Sequence, residues 1–351
     1  MAEMSRHDAG RPSSVFRSDG GVFAALDLGT NNCRMLVARR DELSGADFRV
    51  IDSFSRVTRL GEGVSATGRL SDQAMDRTID ALKRCADKMD KRRVSASRQV
   101  ATEACRRAAN GAEFLDRVTR ETGLALEIIS AHEEATLALK GCAALLDRAL
   151  PYAVIFDVGG GSTEVLFVRT DDRHALAVVG CVSLPLGVVT VAEDCGGGDL
   201  CGRTYQSVVE RVCKLLEPFE GAHQIRQKIA AGEVQMIGTS GTVTTLGGLH
   251  LKLDRYDRAA VDGLTLGFDA ITAATQSLCS KTMQQRAAEP CIGWQRADLM
   301  LAGCAILEAI CKLWPVGRLR VADRGLREGL LLDLINPALL KVAPGPMHRL
   351  D

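Results

Sequence analysis

The chain has 351 residues, with 44 Lys+Arg balanced by 44 Asp+Glu and 46% apolar residues. That length and mix describe a globular protein of two domains, at roughly 100–200 residues each. The neutral balance argues against a nucleic-acid coat or a polybasic membrane-surface protein, and 2 Trp, 3 Tyr and 9 Phe are too few for base-stacking platforms.

Residues 1–20 are polar, rich in Gly, Ser and Arg, and lack the apolar stretch of a signal peptide. A disordered tail is expected there. No segment approaches the ~18 apolar residues of a membrane span, so a cytoplasmic protein without a membrane partner is expected. The 12 cysteines are scattered singly, without a CxxC. Cys85, Cys142, Cys213, Cys304 and Cys311 fall in helix-like apolar patterns, as reduced, buried thiols do. Cys195 and Cys201 flank a Gly-rich turn, but no nearby His/Cys pair completes a metal site.

In chain order, Val22–Leu28 reads as a strand, Gly29-Thr30-Asn31-Asn32 as a tight polar turn, and Cys33–Arg39 as a second strand. Ser71–Met89 reads as a helix, because Met75, Ile79, Leu82, Cys85 and Met89 fall near helical spacing behind a Ser71 N-cap. Its basic end, Lys88 to Arg93, is a solvated helix terminus. Gln99–Thr102 is a short strand, and Glu103–Asn110 a short helix carrying Arg106 and Arg107. Ala112–Thr122 is a helix stopped by Gly123, Leu124–Ile129 a strand, and Ser130 opens a helix running to about Leu146. This alternation implies an α/β fold with mixed sheets.

The first hairpin pattern then recurs. Ala153–Val158 leads into Gly159-Gly160-Gly161-Ser162-Thr163 and on into Glu164–Arg169. Superposing the two puts Asp27 on Asp157, Gly29 on Gly159 and Arg34 on Glu164, which suggests a duplicated unit with two related domains facing one another. Both glycine turns run into strand sequence rather than a helix, and neither matches GxxxxGK(S/T) or GxGxxG, so P-loop and dinucleotide readings fail. A glycine hairpin can still cradle phosphate, because consecutive backbone N–H groups converge on an anion where no Cβ blocks the approach. Further on, Val234–Ile237 leads into Gly238-Thr-Ser-Gly241-Thr242 and helical sequence, Arg296–Leu313 is a strongly apolar core helix, and Asp323–Leu334 a final helix. Arg324, Arg327 and Glu328 on that last helix suit surface ion pairs.

Six motifs stand in order: Asp27-Leu-Gly-Thr30, ATEACRRAAN (Ala101–Asn110), SAHEEA (Ser130–Ala135), DVGGGSTE (Asp157–Glu164), GTSGTVTTL (Gly238–Leu246) and DRGLREGLL (Asp323–Leu331). Over about residues 20–340 the chain resembles the Ppx/GppA family of exopolyphosphatases and guanosine pentaphosphate phosphohydrolases, in the actin-like ATPase superfamily. Its length resembles the short, two-domain form. The resemblance implies two actin-like (ribonuclease H-like) domains, each a mixed β-sheet flanked by helices, with the active site in the cleft between them. Domain I would span 21–135 and domain II 136–322, with a final helix over 323–340 packing back on domain I.

The implied reaction is hydrolysis of a terminal phosphoanhydride by water, on inorganic polyphosphate or guanosine pentaphosphate. Amides of Gly29, Thr30, Asn31 and of Gly159, Gly160, Gly161 and Ser162 would hold phosphate oxygens from opposite sides, with Arg106 and Gly241 as further contacts. Arg34 would pair with the phosphoryl group as a planar fork. Asp157 and Glu164 would hold Mg²⁺ (or Mn²⁺), a hard ion favouring carboxylates and water. Glu164, set among apolar strand neighbours, is otherwise a costly carboxylate to bury, which fits that catalytic role.

The water needs a base. Ser130 and Glu133 form a capping-box pattern in which Glu133 reaches back to the Ser130 N–H, whereas Glu134 lies about 100° further round and projects into the cleft. The family's motif has a glutamate just before this Ala, which selects Glu134 as general base, and a helix N-terminus would keep it ionised at neutral pH. His132 is the alternative base. Two positions depart from the family pattern: Ala131, where Gly is common, and the region of Thr190, where an Arg often stands. Two other functions remain on sequence alone, a sugar or carboxylic-acid kinase and a non-catalytic actin-like phosphate sensor. The kinase needs an adenosine pocket and a sugar-side catalytic Asp, and no clear candidate for that Asp is found. The choice between polyphosphate and guanosine substrate stays open, as does a homodimer. No nucleic-acid partner is expected.

Overall fold

Two hairpins of the same build organise the chain. In the computed structural model, which describes residues 21–41, 47–170, 175–197 and 200–348, β1 (Val22–Leu28) pairs antiparallel with β2 (Asn32–Arg40), placing Asp27 opposite Arg34. β6 (Tyr152–Val158) and β7 (Thr163–Arg169) pair the same way, placing Asp157 opposite Glu164. Each turn is closed by one backbone bond of 2.9 Å, Gly29 N–H to the Asn32 carbonyl and Gly159 N–H to that of Ser162. The superposition read from sequence is therefore the register of the fold. The expected tail over 1–20 lies outside the described residues.

Each hairpin seeds a sheet of the same order. The first runs β3 (Phe48–Val57), β2, β1, β4 (Ala96–Ala101), β5 (Glu127–Ile128), with β4 parallel to β1 and β5 parallel to β4. The second repeats it as β8 (Ala175–Leu184), β7, β6, β9 (Val234–Thr239), β11 (Arg318–Ala322). It adds β10 (Thr265–Gly267) beyond β11, and β12 (Lys341–Ala343) and β13 (Met347–His348) beside β8. These are the mixed sheets and the α/β class that the alternation implies.

Helices of the first half are α1 (Val64–Thr67), α2 (Asp72–Lys91), α3 (Glu103–Arg107), α4 (Gly111–Thr122) and α5 (Ala131–Cys142). Those of the second are α6 (Val188–Asp194), α7 (Gly202–His223), α8 (Ile225–Ala230), α9 (Gly241–His250), α10 (Arg258–Val261), α11 (Phe268–Cys279), α12 (Met283–Ala287), α13 (Met300–Leu313) and α14 (Leu326–Ile335). Caps set several boundaries: the Ser71 hydroxyl accepts from Ala74 N–H at the start of α2, and Gly123 takes a left-handed conformation (φ 71°) after α4. The helix expected over Glu103–Asn110 breaks at Ala108, because the buried Asn110 amide bonds both backbone groups of Leu70 (2.8 and 3.0 Å) and holds the chain extended there. The expected strand Leu124–Ile129 is reduced to two paired residues, α5 ends at Cys142 in a 3-10 turn, and α13 begins at Met300 rather than Arg296.

The larger core lies in the second half, around Phe156, Phe167, Phe219 and Trp314. The Trp314 indole N–H donates to Glu220 at 2.8 Å, so the ring's one polar atom is satisfied inside it. Helix α14 turns the other way. Leu326, Leu330, Leu331 and Ile335 pack with Ala25, Leu36, Val100 and Leu137 on the first sheet and α5. Two glycines permit that approach: a Cβ on Gly141 would stand 2.0 Å from the Gly325 carbonyl oxygen, and one on Gly329 2.0 Å from that of Leu137. Neither position accepts even alanine without moving a helix. The helix carrying Glu134 is thereby fixed against the helix carrying Arg327.

All described cysteines are free thiols; Cys85, Cys142 and Cys304 are buried, Cys213 and Cys311 half-buried, Cys195 half-buried and Cys201 exposed. Among the described residues no helix is long and apolar enough to cross a membrane.

Candidate active site

The two glycine turns meet tip to tip. A Cβ on Gly160 would lie 2.9 Å from Thr30 Cβ, and one on Gly161 2.7 Å from Thr30 Oγ1 and 2.9 Å from Glu103 Cγ. Only glycine lets the backbones interlock this closely. Between them lies a cavity of about 130 Å³ lined by both turns, by Ser240 and Gly241 at the start of α9, and by Asp27, Arg34, Glu103, Glu134 and Asp157. Val188 and Val189 N–H bond the carbonyls of Gly159 and Gly160 (3.0 and 2.8 Å), and Thr190 Oγ1 caps Gly187 N–H at 2.7 Å, so the stretch where the family often carries an Arg here bolts down the second turn.

Helix α5 begins as its sequence suggests, with the Ser130 hydroxyl accepting from Glu133 N–H at 3.1 Å, and Ala131 is accommodated without distortion of that cap. Glu134 lines the cavity. The reciprocal half of the capping box is absent: the Glu133 carboxylate pairs with Arg98 (2.5 Å), which also holds Glu127. His132 does not line the cavity, and its Nδ1 is buried without a hydrogen-bond partner.

Arg106, expected as a phosphate contact, is engaged by groups of the protein itself. Its Nε and Nη2 donate to Glu103 (3.1 and 2.6 Å), Nη1 and Nη2 to Glu134 (3.2 Å each), and Nη1 to the Ile129 carbonyl (2.8 Å). All five N–H groups of a guanidinium are then in use. Glu164 is engaged likewise. It is 2% exposed, accepts from the Ser183 hydroxyl at 2.8 Å, and lies behind the cavity wall rather than in it. It stands across the hairpin from Asp157, where its charge raises that carboxyl.

Burial and that charge dominate the site. Burial, then Glu164, push the Asp157 carboxyl up to about 7, with Arg34 opposing. Burial first and Glu164 second also hold Glu134 well above the usual carboxylate range, against the pull of Arg106. The helix N-terminus therefore does not keep Glu134 at an ordinary value: desolvation outweighs it. Asp27 is raised by burial, with Arg34 and Arg327 lowering it.

The cavity opens into a second chamber of about 630 Å³ that shares Asp27, Arg34, Asp157 and Arg296 and adds Arg258, Arg324 and Arg327. Two of these cations are occupied: Arg258 pairs with Glu328 (2.6 Å), and Arg324 with Asp262 (2.9 Å). The side chains of Arg34, Arg296 and Arg327 have no hydrogen bond or ion pair among the described residues. Burial lowers the Arg327 pKa, although Glu328 raises it. Sequence reading missed Arg296, Arg327, Asp27 and Glu103 as parts of the site. Arg327 was a candidate for surface pairing because nothing local shows that its helix turns one face into the cleft, while the periodicity of the following helix absorbed Arg296.

The sequence profile of the Ppx/GppA phosphatase family matches residues 36–337. The chain belongs to this family. It is 30% identical to exopolyphosphatase 2 of Mycobacterium tuberculosis over 322 residues, covering 89% of this chain and 98% of that one. It is 28% identical to a guanosine-5'-triphosphate,3'-diphosphate pyrophosphatase of Aeromonas hydrophila, over 90% of this chain and 59% of that protein. Among solved structures, a Ppx/GppA family member from Aquifex aeolicus superposes with a TM-score of 0.70 at 29% identity, covering 90% of this chain and 97% of that one. An exopolyphosphatase from Cytophaga hutchinsonii shares the fold, with a TM-score of 0.80 at 22% identity over 93% and 100% of the two chains. The chain thus shares the fold of the Ppx/GppA family members it superposes on, here built on two hairpins of the same order.

Proposed function

We propose that this cleft removes terminal orthophosphate from inorganic polyphosphate, or converts guanosine pentaphosphate to tetraphosphate, by attack of water activated by Glu134. The observation that carries the proposal is a carboxylate of raised basicity lining a small cavity between two glycine turns, beside three cations without ion-pair partners. The amides of Thr30 and Asn31 and of Gly160, Gly161 and Ser162 bind phosphate oxygens, those of Gly29 and Gly159 being taken by the bonds that close the turns, and Arg34 takes the phosphoryl group as a fork. Arg296 and Arg327 hold the phosphates that follow. Glu134 accepts the proton of the attacking water at its carboxylate, and a raised pKa makes it a stronger base in its ionised form. A non-catalytic phosphate sensor would have no use for that carboxylate.

The residues present fit a hard divalent cation. Asp27 and Asp157 offer carboxylate oxygens, and the Asn31 and Asn32 amide oxygens beside them are buried acceptors without a donor. No cluster of three or more His, Cys, Asp or Glu stands close enough to form a closed metal site among the described residues. Such donors suit Mg²⁺ or Mn²⁺ held by Asp157 with Asp27, with water and substrate completing its shell. Bound there, the ion would neutralise charge developing as the phosphoanhydride breaks.

The test is a substrate panel: long-chain polyphosphate, guanosine pentaphosphate, and ATP with a set of sugars, with and without Mg²⁺. Metal-dependent orthophosphate release from either of the first two supports the proposal. Phosphorylated sugar, or no turnover of any substrate, overturns it.

A further inference from the structure

Glu103 carries a carboxylate into a cavity built for phosphate, where electrostatics disfavour it. Its side chain is 12% exposed, and its Cγ crosses to the opposite glycine turn, closely enough that a Cβ on Gly161 would stand 2.9 Å away. It is the first residue of α3, and Arg106 lies one turn on, within reach at i+3. Glu103 takes two of the five guanidinium N–H groups, through Nε at 3.1 Å and Nη2 at 2.6 Å. The contacts to Glu134 and the Ile129 carbonyl take the rest.

We propose that Glu103 is a positioning residue: it locks the Arg106 guanidinium in the plane that orients Glu134 and withholds that cation from the substrate. A planar fork held on one edge by Glu103 presents its other edge to Glu134 in a fixed direction. Without Glu103, two donors come free in a site full of phosphate, and Arg106 turns toward the anion and away from the base. The proposal rests on the hydrolase reading above. It separates two quantities that move together when a binding residue is lost, because removing Glu103 improves anion affinity while impairing the chemical step.

The experiment compares wild type, Glu103→Gln and Glu103→Ala. It measures kcat and KM on the substrate that wild type hydrolyses, calorimetric Kd for imidotriphosphate, whose P–N–P links resist hydrolysis, and Tm. Glu103→Ala is expected to lose about 10- to 100-fold in kcat, the scale of a misplaced catalytic group. Its Kd for imidotriphosphate should tighten by about 3- to 10-fold, on the order of one unfavourable charge contact removed. Glu103→Gln keeps an acceptor for Arg106 without the charge. It should restore kcat to within about threefold of wild type, while its Kd still tightens. Loss of kcat with weakened anion binding, or failure of Gln to restore kcat, overturns the proposal. If Glu103→Ala does not fold, Glu103→Gln decides: unchanged or weaker Kd overturns it. A wild type that turns over no substrate overturns the hydrolase reading instead, and the imidotriphosphate affinities still show whether Glu103 withholds Arg106.

Discussion

Asp157 stands directly opposite Glu164 across the β6–β7 hairpin, and the two carboxylates are buried together where the duplicated hairpin pairs Asp27 with Arg34. One half of the duplication thus balances its charge internally, and the other leaves a negative excess facing the cleft. A divalent cation held there would relieve that excess.

This sets a pH dependence of stability in the ligand-free protein. The Asp157 carboxyl moves from 3.8 to about 7 on folding, so the fold favours its neutral form. The resulting destabilisation is absent below the lower value and complete above the higher one. Asp157→Asn should therefore raise Tm in EDTA at pH 8, keep less than half of that advantage at pH 5 and lose it as pH falls below about 4. Mg²⁺ added at pH 8 should raise the wild-type Tm and leave the variant almost unmoved. Thermal scans across this pH range, with and without metal, check both statements.

The adjacent glutamates should separate cleanly. Glu134→Gln removes the base and keeps the size, so kcat should fall by about 10²–10⁴, while Tm above neutral pH should rise rather than fall, because burial disfavours the charged carboxylate there. Glu133 is 41% exposed at the end of an Arg98 ion pair, and Glu133→Ala should cost less than about 1 kcal/mol and retain activity. Steady-state kinetics and denaturant melts on the two variants test the assignment.

Arg327 should trade stability for binding. Its guanidinium is desolvated and unpaired, so Arg327→Met should raise Tm without ligand. The loss of a charge-assisted phosphate contact, about 1.5–3 kcal/mol, should raise KM by about 10- to 100-fold. The kcat should change far less. A KM that stays within twofold of wild type would remove Arg327 from the substrate site.

What the sequence made legible was what local chemistry decides. The two hairpins share a register because the same strand–glycine–strand pattern closes each turn, and Ser130 starts α5 because its hydroxyl meets the Glu133 amide in any context. What it hid were choices made by distant partners. That Glu103 and Glu134 take the donors of Arg106 shows only in the fold. Glu133 reads as a capping residue until Arg98, on a strand 35 residues away, offers a better partner. The break after Arg107 follows from Asn110 finding Leu70, 40 residues back. Arg327 faces the cleft only because Gly141 and Gly329 let α14 settle on α5. Each of these is a tertiary contact overriding a sound local preference.

The central claim is that water activated by Glu134 cleaves the chain end held between the two glycine turns. The most direct measurement follows a gel-resolved time course of long-chain polyphosphate, and chromatography of guanosine pentaphosphate, in parallel for wild type and Glu134→Gln. On this reading one terminal phosphate occupies the cavity of about 130 Å³ between the two turns. Orthophosphate should therefore appear linearly from the first turnover while long chains persist, or tetraphosphate with one orthophosphate, and the variant should release almost none. Early mid-length fragments, or a variant as fast as wild type, would contradict the account.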